Sequence, residues 1–428
     1  MGHVGVTVQE RRAPSRAAWR DDLAVAWRAF WTSRLLVWAA GLGAIAIWGI
    51  HEAHAHAFDP AGLTRPFGPL GDHLVAPAAR WDSVWFLEIA RDGYGGSGDR
   101  AAFFPLYPAL VKVLGWVCGS ALIAAIALSM AAFLVGMAAL HRLAVIEVGP
   151  DAARWTVYAL ALFPGSLWFS AAYSESLFLM VSVGAVLAAR TRHWALAGVL
   201  GALGAATRSA GLLLVVPLAL LWWDARRESR SHPSPTTPAV RWPSLAWVGV
   251  VPLGLAAYVG YLAATGEPAD APFSAQDTWH RALKGPWTGV WDGATAAWDG
   301  LRQLVHGPPP PLYFDKAAGD AMAIGRHNLL LFVCLVIAVP ALIGALRRLP
   351  LAHGAYALCA LLLPLSYPVT PQPLMSLPRF EAVLYPLFIW LGWWLARGGA
   401  VRRALVLGVF GAGLAFCAAL FSTWHWVA

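Results

Sequence analysis

Long apolar runs recur along this chain from end to end, and they restrict its fold more than any other feature. The runs are rich in Leu, Ala and Val and are continuous rather than alternating. Alternation is the pattern of a membrane β-barrel strand, so a barrel is excluded and helices remain. Only 13% of the 428 residues are charged, whereas a soluble domain has roughly 25%. The sequence therefore predicts an all-α, multispanning membrane bundle of about eleven transmembrane helices.

The basic charge of the chain predicts membrane orientation rather than nucleic-acid binding. The net charge is +8, and the basic residues are nearly all arginines in short connecting segments. Because arginines and lysines collect on the cytoplasmic side, we expect a cytoplasmic amino terminus and a plasma-membrane protein. The four cysteines lie in or beside apolar runs and have no CxxC spacing, so neither a disulfide framework nor a zinc site is indicated. No nucleotide-binding motif is present either.

The apolar runs divide the chain into one membrane domain and a few polar segments. We predict a single domain over 25–428, with three long loops inside it. The polar segments are a cytoplasmic tail at 1–24, a first outer loop at 51–117, a flexible, Ser/Pro-rich cytoplasmic loop at 224–243 and a second outer loop at 265–326.

Both outer loops carry helical patterns of their own. In the first loop, 103–117 is apolar but short and contains Lys112, which favours a helix lying on the membrane surface. In the second loop, Trp291 and Trp298 are seven residues apart and fall on one helical face, as in a helix at the lipid headgroups. Pro308 to Pro311 then predicts a stiff spacer. Packing and substrate binding are equally good roles for this second loop.

Four ionisable residues do not follow the topology. Asp82 lies in the first outer loop, and three more lie at outer turns beside apolar sequence: Glu175, Arg208 and Arg379. An ionisable group near the bilayer is costly, which indicates either a function or a partner. Because a helical bundle brings its outer turns together, we expect one polar site that faces the outer leaflet.

Each of these residues also has a structural explanation. Asp82 is well placed to cap a short helix that ends at Gly93. Glu175 and Arg208 suit an ion pair between neighbouring turns, and Arg379 suits a side chain that reaches towards the membrane interface. The sequence leaves these alternatives open.

A histidine-rich stretch raises the question of a metal. His51, Glu52, His54 and His56 have spacings that can chelate a cation. They lie at the junction of a span and a loop, with no carboxylate motif after them, so we expect no metal site here.

Several short motifs resemble those of PIG-V-like mannosyltransferases. Arg80-Trp81-Asp82-Ser83 with Gly93-Tyr94 carries the resemblance first, and further motifs follow in the same order over about 30–395. These are Phe103-Phe104-Pro105-Leu106-Tyr107-Pro108, Phe163-Pro164, Ser170-Ala171-Ala172-Tyr173-Ser174-Glu175-Ser176, Arg208 with Gly211, and Leu377-Pro378-Arg379-Phe380. One departure is Ala210, where the family is expected to favour Asn.

The resemblance implies the GT-C architecture, with a catalytic acidic residue in the first outer loop beside juxtamembrane helices. It also implies a sugar donor carried on a polyprenyl phosphate, with mannose as the usual sugar. Together with the reasoning on charges, it makes Asp82 the candidate base of an inverting transfer, and Arg208 or Arg379 the candidate ligand of the donor phosphate. Side chains expected to orient the substrate or hold the arginines are Tyr173, Glu175, Trp81, Trp85 and Lys112.

The expected partners are those of an envelope glycosyltransferase. They are a polyprenyl-phosphate-sugar donor, a lipid or glycan acceptor and the membrane lipids, and a small membrane subunit is an open possibility. No cofactor is expected beyond the donor, and no metal. A transporter or flippase of lipid-linked sugars is the competing class, but it needs an internal repeat and ionisable residues at mid-membrane depth, which the sequence does not show.

Overall fold

The computed structural model describes residues 15–95, 98–231, 239–307, 321–369 and 372–427. Within these ranges the regular structure is helical, with one isolated bridge between Arg281 and Val369. Three predicted features lie wholly or partly outside the described residues: 1–14 of the tail, 232–238 of the cytoplasmic loop, and the spacer Pro308 to Pro311.

The helices up to the middle of the chain form the first outer loop and the spans around it. In order, they are α1 (Arg16–Trp48), α2 (Glu52–Phe58), α3 (Gly68–Val75), α4 (Ser83–Asp92), α5 (Leu106–Cys118), α6 (Ala121–Val148), α7 (Pro150–Leu162), α8 (Glu175–Arg190) and α9 (Trp194–Ala205).

The remaining helices complete the bundle and the second outer loop. They are α10 (Val215–Ser231), α11 (Leu253–Ala264), α12 (Ala271–Ser274), α13 (Pro286–His306), α14 (Ala321–Arg348), α15 (Leu351–Leu365), α16 (Leu377–Ala382), α17 (Tyr385–Ala396) and α18 (Ala400–Ser422). Two 3₁₀ helices, Ser209–Leu214 and Trp242–Val250, precede α10 and α11.

The prediction of an all-helical, multi-pass membrane protein is confirmed. Six helical segments of the described chain are long and apolar enough to span a bilayer, and four shorter apolar helices accompany them. The predicted count of about eleven spans is not confirmed by this number. The six segments are Arg16–Trp48, Ala121–Val148, Ser209–Ser231, Trp242–Ala264, Ile324–Arg348 and Ala400–Ser422.

Two predicted polar segments are shorter than the sequence suggested. The first helix begins at Arg16, capped by the Ser15 hydroxyl, so residues 16–24 of the predicted tail are helical, and their cytoplasmic position stays a prediction. Helix α10 continues to Ser231, so 224–231 is helical rather than part of a flexible loop. In both places polar residues extend an apolar helix by several turns, because a helix that is already nucleated continues at little cost.

The outer loops are folded as the sequence indicated. The first loop contains α2 to α5, and α5 packs against α4 and α6. In the second loop, α13 packs its Gly and Ala face on α14 and α15, while Trp291 and Trp298 stay exposed. A helix is therefore confirmed at both places, and its position at the lipid headgroups stays a prediction.

Ion pairs tie the helices together at the end of the bundle away from Asp82. Near the start of α1, Asp22 binds His141 and Arg142 of α6 at 2.6 and 2.7 Å. Glu147, near the end of α6, binds Arg190 at 2.5 Å and His353 at 3.0 Å. These ion pairs join the starts of α1 and α15 to the ends of α6 and α8. The four helix termini therefore lie at the same end of the bundle. The candidate residues lie at the other end.

Candidate functional site

The local sequence of α4 places Asp82 at the start of a helix. Apolar residues at Val84, Leu87 and Ile89 are buried, and Gly93, with φ of 78°, ends the helix. Asp82 occupies the capping position, but its side chain accepts no hydrogen bond from the helix amides. The carboxylate is therefore available for other contacts, and the interpretation of Asp82 as a simple helix cap is wrong.

A strained turn at Trp81 sets the direction of Asp82. Trp81 has φ of 54°, in the left-handed region that residues other than glycine rarely adopt. The Tyr173 hydroxyl holds both sides of this turn: it accepts from the Asp82 amide at 3.1 Å and donates to the Arg80 carbonyl at 3.3 Å. As a result, Arg80 and Trp81 face the carboxyl-terminal residues, where Arg80 lies 5.1 Å from the Trp424 ring, while Asp82 faces the opposite way.

Glu175 begins α8 and holds two arginines. A carboxylate in the first turn of a helix is stabilised by the helix dipole. Its Oε1 atom accepts from Arg208 at 2.5 Å and also from Arg379 Nε. Arg208 has an extended backbone between α9 and the 3₁₀ helix Ser209–Leu214, and Arg379 lies on α16. The predicted Glu175–Arg208 ion pair is confirmed, with Arg379 as an additional member.

Arg379 connects this ion pair to Asp82. Its Nη1 atom donates to Asp82 Oδ2, and its guanidinium stacks 4.8 Å from the Tyr173 ring centroid. Burial by itself would lower the pKa of Arg379, but the Glu175 and Asp82 carboxylates outweigh burial and raise that pKa. Arg379 is thus a fixed cation between two carboxylates. It is not a side chain that merely reaches towards the membrane interface.

Asp82, Arg208 and Arg379 all reach the wall of one cavity of about 270 Å³, near the lower end of the roughly 300–1,000 Å³ usual for ligand sites. Its wall is largely apolar, with Phe86 and Phe380 among the aromatic rings, and polar side chains include Ser174, Thr207, Gln276 and Tyr367. Aromatic rings with a few polar groups suit a sugar or a lipid chain. The predicted residues therefore meet at one place in the structure, and the position of this site at the outer face stays a prediction.

The sequence analysis missed one charged residue of this cavity. Arg281, in the second outer loop, lies on the wall together with Pro272 and Phe273. Its position was hard to foresee because it follows Trp279 in a polar loop, where an arginine is unremarkable. The only available signal was that the loop falls on the predicted outer side. The second outer loop thus packs on the bundle through α13 and also contributes residues to the cavity wall, and a role in substrate binding stays a prediction.

The other predicted site residues lie around the cavity rather than on its wall. Tyr173 and Glu175 are fully or almost fully buried behind the arginines. Trp81 packs on Trp424 and Trp426, and Trp85 stacks on Phe103.

These positions correct the predicted roles. Tyr173 and Glu175 hold Asp82 and the arginines, which was one of their two expected roles, and they do not reach the cavity to orient a sugar. Lys112 is exposed on α5 and lies away from the wall. Trp81, Trp85 and Lys112 do not line this cavity, and their role in orienting a substrate stays a prediction.

The predicted histidine group lies beside the carboxyl terminus. The rings of His51 and His54 stack at 3.8 Å, and His54 Nδ1 lies 2.9 Å from the Trp424 carbonyl oxygen. Among the described residues no cluster of three or more His, Cys, Asp or Glu side chains is arranged to hold a cation. The expectation that no metal takes part stays a prediction.

Comparison with known proteins finds a family likeness over less than half of the chain. Residues 34–220 match the family described as Mannosyltransferase (PIG-V). Over these residues the chain is similar to that family. The match contains Asp82, Tyr173, Glu175 and Arg208, while Arg379 lies beyond it.

Curated relatives of this chain match over a similar length. GPI alpha-1,6-mannosyltransferase 2 of Rattus norvegicus is 35% identical over 181 residues, which is 39% of this chain and 36% of the rat protein. The Cricetulus griseus protein of the same name is 31% identical over 180 residues, and the Homo sapiens protein is 30% identical over 181 residues. The alignments thus span about a third of the length of these relatives.

Among solved structures, this chain is similar to the Archaeoglobus fulgidus oligosaccharyltransferase complex with Zn and sulfate. The TM-score is 0.46 at 13% identity, covering 94% of this chain and 53% of that chain. The same archaeal protein, AglB, in complex with an inhibitory peptide and a dolichol-phosphate gives a TM-score of 0.43 at 11% identity.

Proposed function

We propose that this chain is a membrane glycosyltransferase that moves a hexose from a polyprenyl-phosphate donor to a hydroxyl of a lipid or glycan acceptor. The likeness to mannosyltransferases supports mannose as the hexose. One observation carries this proposal: a carboxylate of Asp82 faces a cavity that three guanidiniums also reach. A base beside cations is what a hydroxyl needs when it attacks a carbon that bears a phosphate leaving group.

In the proposed reaction Asp82 acts as the general base. Its Oδ2 atom is bound to Arg379, while Oδ1 has no hydrogen-bond partner among the described residues. Oδ1 takes the proton of the acceptor hydroxyl as that oxygen attacks the anomeric carbon. The bond between this carbon and the phosphate oxygen breaks, and polyprenyl phosphate leaves with the electron pair. Attack opposite to the leaving group inverts the anomeric carbon.

The arginines supply the electrostatic part of the reaction. The leaving phosphate gains negative charge in the transition state, and fixed guanidiniums stabilise that charge without reorganising. Glu175 holds Arg379 in position and Tyr173 holds Asp82, both from behind the cavity wall. We propose no cofactor beyond the lipid-linked donor.

The proposed setting is the outer face of the plasma membrane, with a cytoplasmic amino terminus. The end of the bundle opposite Asp82 carries arginines such as Arg142, Arg190, Arg347 and Arg402 at its turns. Such arginines collect on the cytoplasmic side of membrane proteins, which supports an outward-facing cavity.

The test is transfer of radiolabelled mannose from polyprenyl-phosphate-mannose in membranes that contain the wild type or Asp82→Asn. We expect transfer by the wild type and a loss of about 100-fold or more in the variant. Asp92→Asn is the matched control, because Asp92 is an exposed carboxylate on the same helix, and it should keep wild-type transfer. If Asp82→Asn also kept full transfer at equal expression, Asp82 would not be the base.

A further inference from the structure

Arg281 differs from the other arginines of the cavity because no carboxylate of the described residues binds it. Arg379 is bound to Asp82 and Glu175, and Arg208 is bound to Glu175. Among the described residues, no carboxylate oxygen lies within 4.0 Å of Arg281. Its charge on the cavity wall is therefore available to a ligand.

The backbone around Arg281 holds it against the end of α15. Arg281 pairs with Val369 in an antiparallel bridge, and the Lys284 amide donates to the Ser366 carbonyl at 2.9 Å. These two attachments, at Arg281 and at Lys284, fix this part of the loop on the bundle. Arg281 is thus a placed residue of the site, unlike an arginine on a free loop.

The side chain of Arg281 is held by an aromatic ring. Its guanidinium lies 5.6 Å from the centroid of the Phe380 ring, and Arg208 lies 5.5 Å from the same ring. A ring contact orients a guanidinium but leaves its N–H donors free, because the attraction acts through the face of the ion. Phe380 follows Arg379 directly, so all three arginines are organised around α16.

The charges of the site are not balanced without a ligand. Three guanidiniums, Arg208, Arg281 and Arg379, face only two carboxylates, Asp82 and Glu175. Burial, followed by the neighbouring Arg379, lowers the pKa of Arg281 to about 10, as expected for a cation that lacks a compensating partner. One negative charge would restore the balance, and a sugar phosphodiester carries one.

We propose that Arg281 is the residue that binds the phosphate of the lipid-linked donor, while Arg208 and Arg379 position the carboxylates. This inference rests on the proposed function for its donor. It differs from the sequence-based expectation, which assigned the phosphate to Arg208 or Arg379. The forked donors of Arg281 bind two phosphate oxygens, and the apolar wall with its aromatic rings binds the first isoprene units and the sugar.

The test is direct binding of a short-chain polyprenyl phosphate to purified protein in detergent, with the corresponding polyprenol as the uncharged comparison. We expect Arg281→Gln to weaken binding of the phosphate about 10-fold or more and to leave binding of the polyprenol unchanged. Arg281→Lys keeps the charge but loses the forked pair of N–H donors. Its affinity for the phosphate should therefore lie between those of the wild type and Arg281→Gln. Asp82→Asn should still bind the phosphate, since Asp82 belongs to the chemical step.

Arg302→Gln is the matched control, because Arg302 is an exposed arginine of α13 away from the cavity. It should bind the polyprenyl phosphate as the wild type does. Equal affinity of wild type, Arg281→Gln and Arg281→Lys would overturn the inference. Since Arg281 has no ion pair to lose, size-exclusion profiles of the variants should match the wild type.

The binding test separates this inference from the proposed function. If the wild type binds the phosphate and Arg281→Gln does not, but no mannose is transferred by the wild type, the inference holds and the proposed reaction fails. If mannose is transferred and Arg281→Gln keeps the wild-type KM for the donor, the proposed reaction holds and the inference fails. With both correct, Arg281→Gln raises the donor KM more than it lowers kcat.

Discussion

The hydroxyl of Tyr173 holds the backbone of Asp82, 91 positions away in the sequence, through the amide hydrogen bond at 3.1 Å. The same hydroxyl donates to the Arg80 carbonyl, so it fixes the turn at Trp81 from both sides. A residue in the left-handed region tends to relax unless its neighbours restrain it. The direction of the candidate base thus depends on a phenol that does not reach the cavity.

Removing the Tyr173 hydroxyl should impair transfer through Asp82. In Tyr173→Phe two hydrogen bonds are lost and the turn is freer to relax, so we expect kcat to fall by about 10-fold while the donor KM changes little. Steady-state transfer assays measure both constants. Tyr356→Phe is the control, because the buried Tyr356 hydroxyl has no hydrogen-bond partner among the described residues. An unchanged kcat in Tyr173→Phe would show that the turn holds without it.

Glu175 should be needed for the stability of the site as well as for activity. In Glu175→Gln, Arg208 and Arg379 lose their shared carboxylate in a buried position, which should destabilise the fold by about 3 kcal/mol or more. Thermal unfolding in detergent measures this loss. Glu88→Gln is the comparison, because Glu88 is partly exposed and its nearest arginine, Arg100, is 3.6 Å away; its effect should stay below about 1 kcal/mol. Equal effects of the two variants would contradict a special role for Glu175.

Gly165 should be intolerant of any side chain because it packs directly under α16. A Cβ atom at Gly165 would meet the carbonyl oxygen of Pro378, the residue before Arg379. In Gly165→Ala we expect α16 to shift, with a loss of about 1–3 kcal/mol in stability and a clear loss of transfer. Gly43→Ala on α1 has nothing within 4 Å of its new methyl group and should be tolerated. Wild-type transfer by Gly165→Ala would show that α16 has room to adjust.

Glu381 should make stability depend on pH. Burial raises the pKa of Glu381 on α16 to about 8, above the ordinary value of 4.5. The folded state therefore binds a proton that the unfolded state releases, so the contribution of Glu381 to stability is fully present below about pH 4.5 and is lost as the pH rises to about 8. Unfolding curves across this range should show the fall in the wild type and a much weaker one in Glu381→Gln. The same slope in both proteins would assign the pH dependence to another group.

Much of the fold followed from the sequence because the bilayer leaves few choices. An apolar run that lacks alternation must form a helix, since each backbone group then finds its partner within the run. The Trp291 and Trp298 repeat likewise predicts a helix, because residues seven apart fall on one face. Helix ends were less predictable, as at Arg16 and Ser231, where polar residues extend an apolar helix.

The candidate site followed from the sequence only in part. Asp82, Glu175, Arg208 and Arg379 were recognisable because a charge beside apolar sequence is costly and falls at a turn. The assignment of Tyr173 and Glu175 to the rear of the wall required the packing of helices, since residue type does not indicate which way a side chain faces.

By itself, the sequence determined a helical membrane bundle with a charged group at several turns of one end. Tertiary structure alone decided that Arg379 lies between Asp82 and Glu175, and that Arg281 lies on the cavity wall with no carboxylate partner in the part of the chain that the structure describes. The physical reason is that periodicity reports the local environment of each helix, whereas these contacts join segments that are up to 297 positions apart. Their geometry depends on how the helices pack against one another, and no single segment encodes it.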